Sequence, residues 1–208
     1  PEYYLLPWKL QFSKVKKIAE CNKALNRPRR PCYASPPSRV GNLPVFGEIT
    51  MEPMVTIALR AARKAGDLIV RASDELDRVG HQAKGVADYV TEVDIAAEQQ
   101  ILYQLGKAYP DHAFLAEESG QTGNAKSDHL WVIDPLDGTS NFMRGIPHYC
   151  VSIACIVDGR LAHAVVFDPV RQEEFTASRG RGAQLNGHRL RVSNRTDLRE
   201  CLLGTGIP

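Results

Sequence analysis

Asp134-Pro-Leu-Asp-Gly-Thr-Ser-Asn-Phe142 places two carboxylates, a glycine and two hydroxyls directly after the apolar run Trp131-Val-Ile133. That run reads as a short buried strand. Pro135 fixes its own φ and pushes Asp134 away from the helical region, so Asp134 is expected extended, at the C-terminal end of the strand. Asp137-Gly138 then turns the chain. Gly138 lacks the Cβ that would hold a phosphate off the backbone amides, and Thr139 or Ser140 is expected to cap the segment that follows. Two carboxylates three residues apart across a proline-forced turn can converge on one point, where hard oxygen donors select Mg²⁺ or Mn²⁺ over zinc. The same letters also suit an ordinary turn, since Pro and Asp-Gly are its commonest ingredients.

As a whole, the nine-residue string resembles the signature of the inositol monophosphatase family, Mg²⁺-dependent, lithium-sensitive phosphatases of small phosphorylated alcohols. Two upstream segments agree with the family in the same order: Phe114-Leu-Ala-Glu117-Glu118-Ser119-Gly120 and Lys84-Gly-Val-Ala-Asp88-Tyr-Val-Thr91-Glu-Val-Asp94. The resemblance begins near Met51 and is closest to the bacterial branch. It implies that Glu117, Asp134, the Leu136 carbonyl and Asp137 hold two or three Mg²⁺ ions. It also implies that Thr139, with Asp94 behind it, orients the attacking water, that Lys84 and Glu117 join the catalytic set, and that Gly138, Thr139 and Asp137 hold the phosphate. Inositol 1-phosphate is the leading substrate, with sugar phosphates, histidinol phosphate and nucleotide 3′-phosphates as competitors, and a homodimer is expected. The alternative function is non-catalytic: some bacterial relatives act in ribosomal RNA transcription complexes, with RNA polymerase and antitermination factors as partners.

Each of these elements also has a plain structural reading. Glu117-Glu118-Ser119 suits a charged turn after a strand. Thr91-Glu-Val-Asp94 has the pattern of a capping box, in which Asp94 serves a helix end. A lone Lys84 is ordinarily solvated. Arg179-Gly-Arg-Gly182 could touch RNA, but between strands it is more simply a glycine-rich solvated turn.

The elements that must position these groups follow from hydrophobic periodicity. Val55, Ala58, Leu59, Ala62, Ala65 and Ile69 mark one face of a helix from Pro53 to Leu76; Ile95, Ile101, Leu102 and Leu105 mark a second. Strands are expected at Ala113 to Ala116 and Leu130 to Asp134. A meander should follow: Tyr149 to Val157, a hairpin turn at Asp158-Gly159, Arg160 to Phe167, Glu173 to Ala177, and short strands either side of Asn186-Gly187. Helices on a largely antiparallel sheet make an α/β layered (α+β) domain, in accord with the family's αβαβα sandwich. The family's third aspartate, in Trp-Asp-x-Ala-Ala-Gly, has no counterpart before Pro208. On that reading residues 51–208 are the N-terminal, metal-binding part of the sandwich. Weak Mg²⁺ binding, slow turnover and an uncovered apolar face are then expected of the chain by itself.

Residues 1–50 carry nine Lys and Arg against three Glu, and Arg27 to Ser38 has loop composition. They are expected to form a basic, loosely attached extension outside the native fold, with a nucleic-acid tail as the functional alternative. At 208 residues and 43% hydrophobic content, the chain can bury one sizeable core. No run approaches a membrane span, so a cytoplasmic location is the default. The five cysteines show no Cys-x-x-Cys spacing, which argues against a disulfide framework and a zinc site. Cys150 and Cys155 lie in an apolar run as small core residues.

Overall fold

The computed structural model describes residues 51–75, 81–85, 88–193 and 197–202, so the expected extension over residues 1–50 lies outside the described residues. Met51–Val192 forms one compact unit. A second unit includes the 3₁₀ turn Leu198–Glu200, where Asp197 accepts the Arg199 N–H at 2.9 Å.

The first helix, α1 (Pro53–Ser73), starts with proline in its first turn, where a missing N–H is harmless. All six apolar residues of the expected face are buried. The helix stops at Ser73 rather than Leu76, with the Ser73 hydroxyl donating back to the Val70 carbonyl at 2.6 Å. Gly66 lets α1 approach the sheet closely, because a Cβ there would stand 2.6 Å from Phe167 Cε1.

Two short antiparallel strands, β1 (His81–Gly85) and β2 (Asp88–Thr91), precede α2 (Glu92–Ala108). Sequence periodicity had not marked this small sheet. In α2 the buried residues are Val93, Asp94, Ala97, Glu98, Ile101 and Leu105. Ile95, expected on that face, is 44% exposed. Ala97, Ile101 and Leu105 recur every four residues, and Ile95 falls off their line.

The eight remaining strands form one sheet in the order β10-β9-β8-β7-β6-β5-β3-β4. They are β3 (Ala113–Ala116), β4 (Gly120–Gly123), β5 (His129–Asp137), β6 (Cys150–Val157), β7 (Arg160–Asp168), β8 (Glu173–Ser178), β9 (Gly182–Leu185) and β10 (His188–Leu190). Among the described residues, only β3 and β5 pair in parallel. The hairpin turns lie where expected: Asp158 and Gly159 have φ of 50° and 71°, and Asn186 and Gly187 have 49° and 79°. Positive φ at both central residues matches the right-handed twist of the flanking strands.

Both helices pack on this sheet and on each other, giving the expected mixed α/β layering. Trp131, Phe142, Phe167, Ile69, Ile101 and Leu105 are the largest side chains at its centre, each contributing roughly 1.5–3 kcal/mol relative to exposure. Cys155 is fully buried, and burial pushes its thiol up to about 12; Cys150 is half-buried. At the start of β5, Trp131 Nε1 donates to His112 Nδ1 at 3.0 Å, and His112 stacks on His129 with ring centroids 4.4 Å apart. No described helix is long and apolar enough to cross a membrane.

Candidate functional site

Parallel pairing sets the site's first two residues side by side. Ala116 is opposite Ile133, so Glu117 and Asp134 follow at the same end of adjacent strands. The strand was expected to end at Asp134, yet β5 continues to Asp137. Asp134 pairs with Ser152 and Asp137 with Cys150, so three steps on β5 match two on β6. The extra residue is a bulge around Pro135-Leu136. Proline has no N–H to give to β6, and a bulge is where a paired strand tolerates it. The bulge also keeps both aspartates on the ladder, with Asp134 buried and Asp137 half-buried.

Gly138 follows at φ 102°, and a Cβ there would lie 3.0 Å from the His148 carbonyl oxygen and 3.2 Å from Tyr149 Cα. Only glycine fits this backbone without strain. Gly138 itself is the N-cap of the short helix α3 (Thr139–Phe142), and no side chain caps it. The expected cap by Thr139 or Ser140 is therefore absent. Thr139 lies inside the first turn, and its hydroxyl is spent elsewhere.

That hydroxyl stands 3.0 Å from Asp94 Oδ1 and 2.9 Å from the Leu136 carbonyl. A hydroxyl has one proton to donate and the carboxylate is the stronger acceptor, so the Thr139 lone pairs stay available to accept from a water. Asp94 is 1% exposed. Its other oxygen, Oδ2, accepts the Thr91 N–H at 2.9 Å and the Thr91 hydroxyl, and the Asp94 N–H donates to Thr91 Oγ1 at 3.3 Å. The capping box is thus formed, and the two readings of Asp94 do not compete: one oxygen closes the helix end while the other reaches Thr139. Burial raises the Asp94 carboxyl above the ordinary carboxylate value, and the bonds from Thr91 and Thr139 oppose that rise.

Glu117 occupies the three-residue loop between β3 and β4, closed by Ala116 opposite Gly120. Glu98 on α2 holds this loop: Oε2 accepts the Glu118 N–H at 2.7 Å and Oε1 accepts the Ser119 N–H at 2.9 Å. Sequence reasoning missed Glu98. Its signal was a carboxylate one turn after Asp94 and three residues before Ile101, inside the apolar line of α2.

Lys84 lies in β1, where the register with β2 shifts between Ala83 and Gly85. Glu117, Asp134 and Asp137 each have interaction partners, and Cys150 Sγ lies 4.0 Å from Asp137 Oδ2. The sequence suggested that these three carboxylates share one point. Among the described residues, no three His, Cys, Asp or Glu side chains stand grouped as around a metal ion. The donor chemistry itself fits a hard cation: three carboxylates and one backbone carbonyl, all oxygen, at the ends of neighbouring strands.

A mixed sheet under two helices, with carboxylates at the ends of β3 and β5 and a glycine turn beside a buried aspartate bonded to a half-buried threonine, is the frame of a known family. The chain belongs to the inositol monophosphatase family, whose model matches residues 50–208. It is 62% identical over 160 residues to the Nus factor SuhB of Pseudomonas aeruginosa, covering 76% of this chain and 59% of that protein. The extragenic suppressor protein suhB from Bartonella henselae is similar in structure, with a TM-score of 0.68 at 42% identity over 69% of this chain and 56% of that one. A further similar structure is an IMPase/NADP phosphatase complexed with Mg²⁺ and phosphate, with a TM-score of 0.56 at 27% identity over 66% of this chain and 53% of that one. The chain therefore spans about three-fifths of the length of the relatives it matches.

Proposed function

We propose that the intact protein is a Mg²⁺-dependent phosphomonoesterase acting on inositol 1-phosphate or a related sugar or polyol phosphate by direct attack of water. The observation that carries this reading is the hydrogen bond between buried Asp94 and half-buried Thr139, 3.0 Å long, beside the bulged end of β5. Glu117, Asp134, the Leu136 carbonyl and Asp137 would hold the ions. When bound, Mg²⁺ would neutralise phosphate oxygens and make a nearby water more acidic. Thr139 Oγ1, with its proton committed to Asp94, accepts from a water and fixes its direction. Gly138 leaves room for a phosphate beside the backbone N–H groups of residues 138 and 139, and Lys84 is assigned to the same catalytic set. A homodimer in the cytoplasm and residues 51–208 as the metal-binding part of the fold complete the proposal.

A second reading is favoured by the name Nus factor that the Pseudomonas aeruginosa relative carries: an interaction protein in a bacterial ribosomal RNA antitermination complex with RNA polymerase. Asp137→Asn separates the two. It keeps the side chain's size and removes its charge. Mg²⁺-dependent phosphate release should fall about a hundredfold or more, since even residues one step from a metal are worth roughly 10–100-fold. Association with transcription partners should not change. Undiminished phosphate release from the Asp137→Asn protein would remove Asp137 from the metal set, and absence of Mg²⁺-dependent phosphate release from the intact wild-type protein would refute the phosphatase reading.

A further inference from the structure

Helix α2 points two buried carboxylates, Asp94 and Glu98, from the same face one turn apart. Each ends on a different piece of the site. Asp94 reaches Thr139 after β5, and Glu98 reaches the loop after β3. Glu98 is 2% exposed and uses both of its oxygens on successive backbone N–H groups, those of Glu118 and Ser119. A loop of three residues has little freedom once two consecutive amides are fixed and Gly120, at φ 75°, closes it against Ala116. The residue left to be oriented is Glu117. Its neighbour along the parallel register is Asp134.

We infer that Glu98 is a positioning residue for the cation site: by clamping the amides of residues 118 and 119 it sets the direction of the Glu117 carboxylate relative to Asp134. The inference rests on the proposed phosphatase reading. Glu98 meets no ion and no substrate. It acts only through the backbone that carries Glu117, as outer partners of metal ligands commonly do. Because Asp94 and Glu98 share one rigid helical turn, α2 acts as a common template that holds the loop after β3 and the turn after β5 at a fixed separation.

The test uses the intact protein, Mn²⁺ alone as the probe, and two readouts that need no turnover: Mn²⁺ affinity by electron paramagnetic resonance, and hydrogen exchange of the Glu118 and Ser119 amides. Glu98→Gln keeps the shape but offers a single acceptor oxygen, so one of the two amides loses its partner. That amide should exchange at least about tenfold faster, and Mn²⁺ should bind roughly 10–100-fold more weakly, with the thermal transition retained. Glu98→Asp, which restores both oxygens on a shorter stem, should recover part of the affinity. Faster exchange with Mn²⁺ affinity unchanged within twofold would overturn the positioning role and leave Glu98 a hairpin clamp only. Failure of the wild-type protein to bind Mn²⁺ at all would remove the phosphatase reading, and the positioning role with it. Should Glu98→Gln fail to fold, the wild-type protein still decides. Mn²⁺ should slow exchange at both amides several-fold, and no change there overturns the inference.

Discussion

Replacing Gly66 by alanine sets two opposing effects against each other. Alanine in a helix interior is favoured over glycine by about 0.8–1 kcal/mol. The new Cβ, however, would stand 2.6 Å and 3.0 Å from Phe167 Cε1 and Cδ1, and 2.9 Å from Pro169 Cβ. Ordinary carbon contacts are at about 3.5–4.0 Å, so roughly an ångström of separation must be found. Phe167 is 2% exposed and Pro169 is buried, so neither has free space behind it. Overpacking of this kind costs about 1–3 kcal/mol, and three simultaneous contacts place it at the upper end. The net expectation is a loss of about 2 kcal/mol. For a domain of this size that lowers Tm by about 4–8 °C. Gly106, inside α2, is the internal control, because nothing lies within 4 Å of its Cβ position. Gly106→Ala should raise Tm by about 1–4 °C. Thermal unfolding by circular dichroism on wild type and both variants reads the two signs directly. A Gly66→Ala protein as stable as wild type would refute the close approach of α1 to β7.

Two further outcomes follow from the site and from the ring stack. Gly138→Ala forces an L-residue to φ 102° with its Cβ 3.0 Å from the His148 carbonyl oxygen; we expect about 1–3 kcal/mol of destabilisation together with loss of phosphate release, and a Gly138→Ala protein with wild-type Tm and activity would count against the turn. His112 is held below the ordinary histidine value, first by burial and then by the neighbouring His129, against smaller opposing effects of Asp128 and Asp111. Its neutral form is favoured in the folded state, so the stability it adds is present above the unfolded value near 6.5 and drains away as pH falls through the lowered folded value. Tm should therefore drop as pH falls below about 6.5, and more shallowly in His112→Gln; identical slopes in the two proteins would remove His112 as a source.

The parts legible in the sequence were those written in local periodicity or turn chemistry. The apolar face of α1 recurs at helical spacing, and Asp158-Gly159 and Asn186-Gly187 demand backbone conformations that only hairpins need. The capping box at Thr91 and Asp94 was legible for the same reason, since both partners lie within three residues. What escaped depended on partners far along the chain. The β5 bulge exists because β6 pairs on both sides of Pro135, and Asp94's bond to Thr139 spans 45 residues. Glu98 was not singled out because the loop whose amides it holds lies 20 residues further along the chain. Ile95 misled because one apolar letter off the line weighs as much in composition as one on it.

The order of pieces along β5 has a consequence for how the protein is made. The groups proposed to handle phosphate and cation lie between residues 84 and 139, and the last strand that flanks them, β6, ends at Val157. A polypeptide leaves the ribosome N-terminus first, so these proposed groups are all synthesised before β7 to β10 exist. The growing far edge is added to a frame already laid down, and it joins that frame through β6 and the underside of α1.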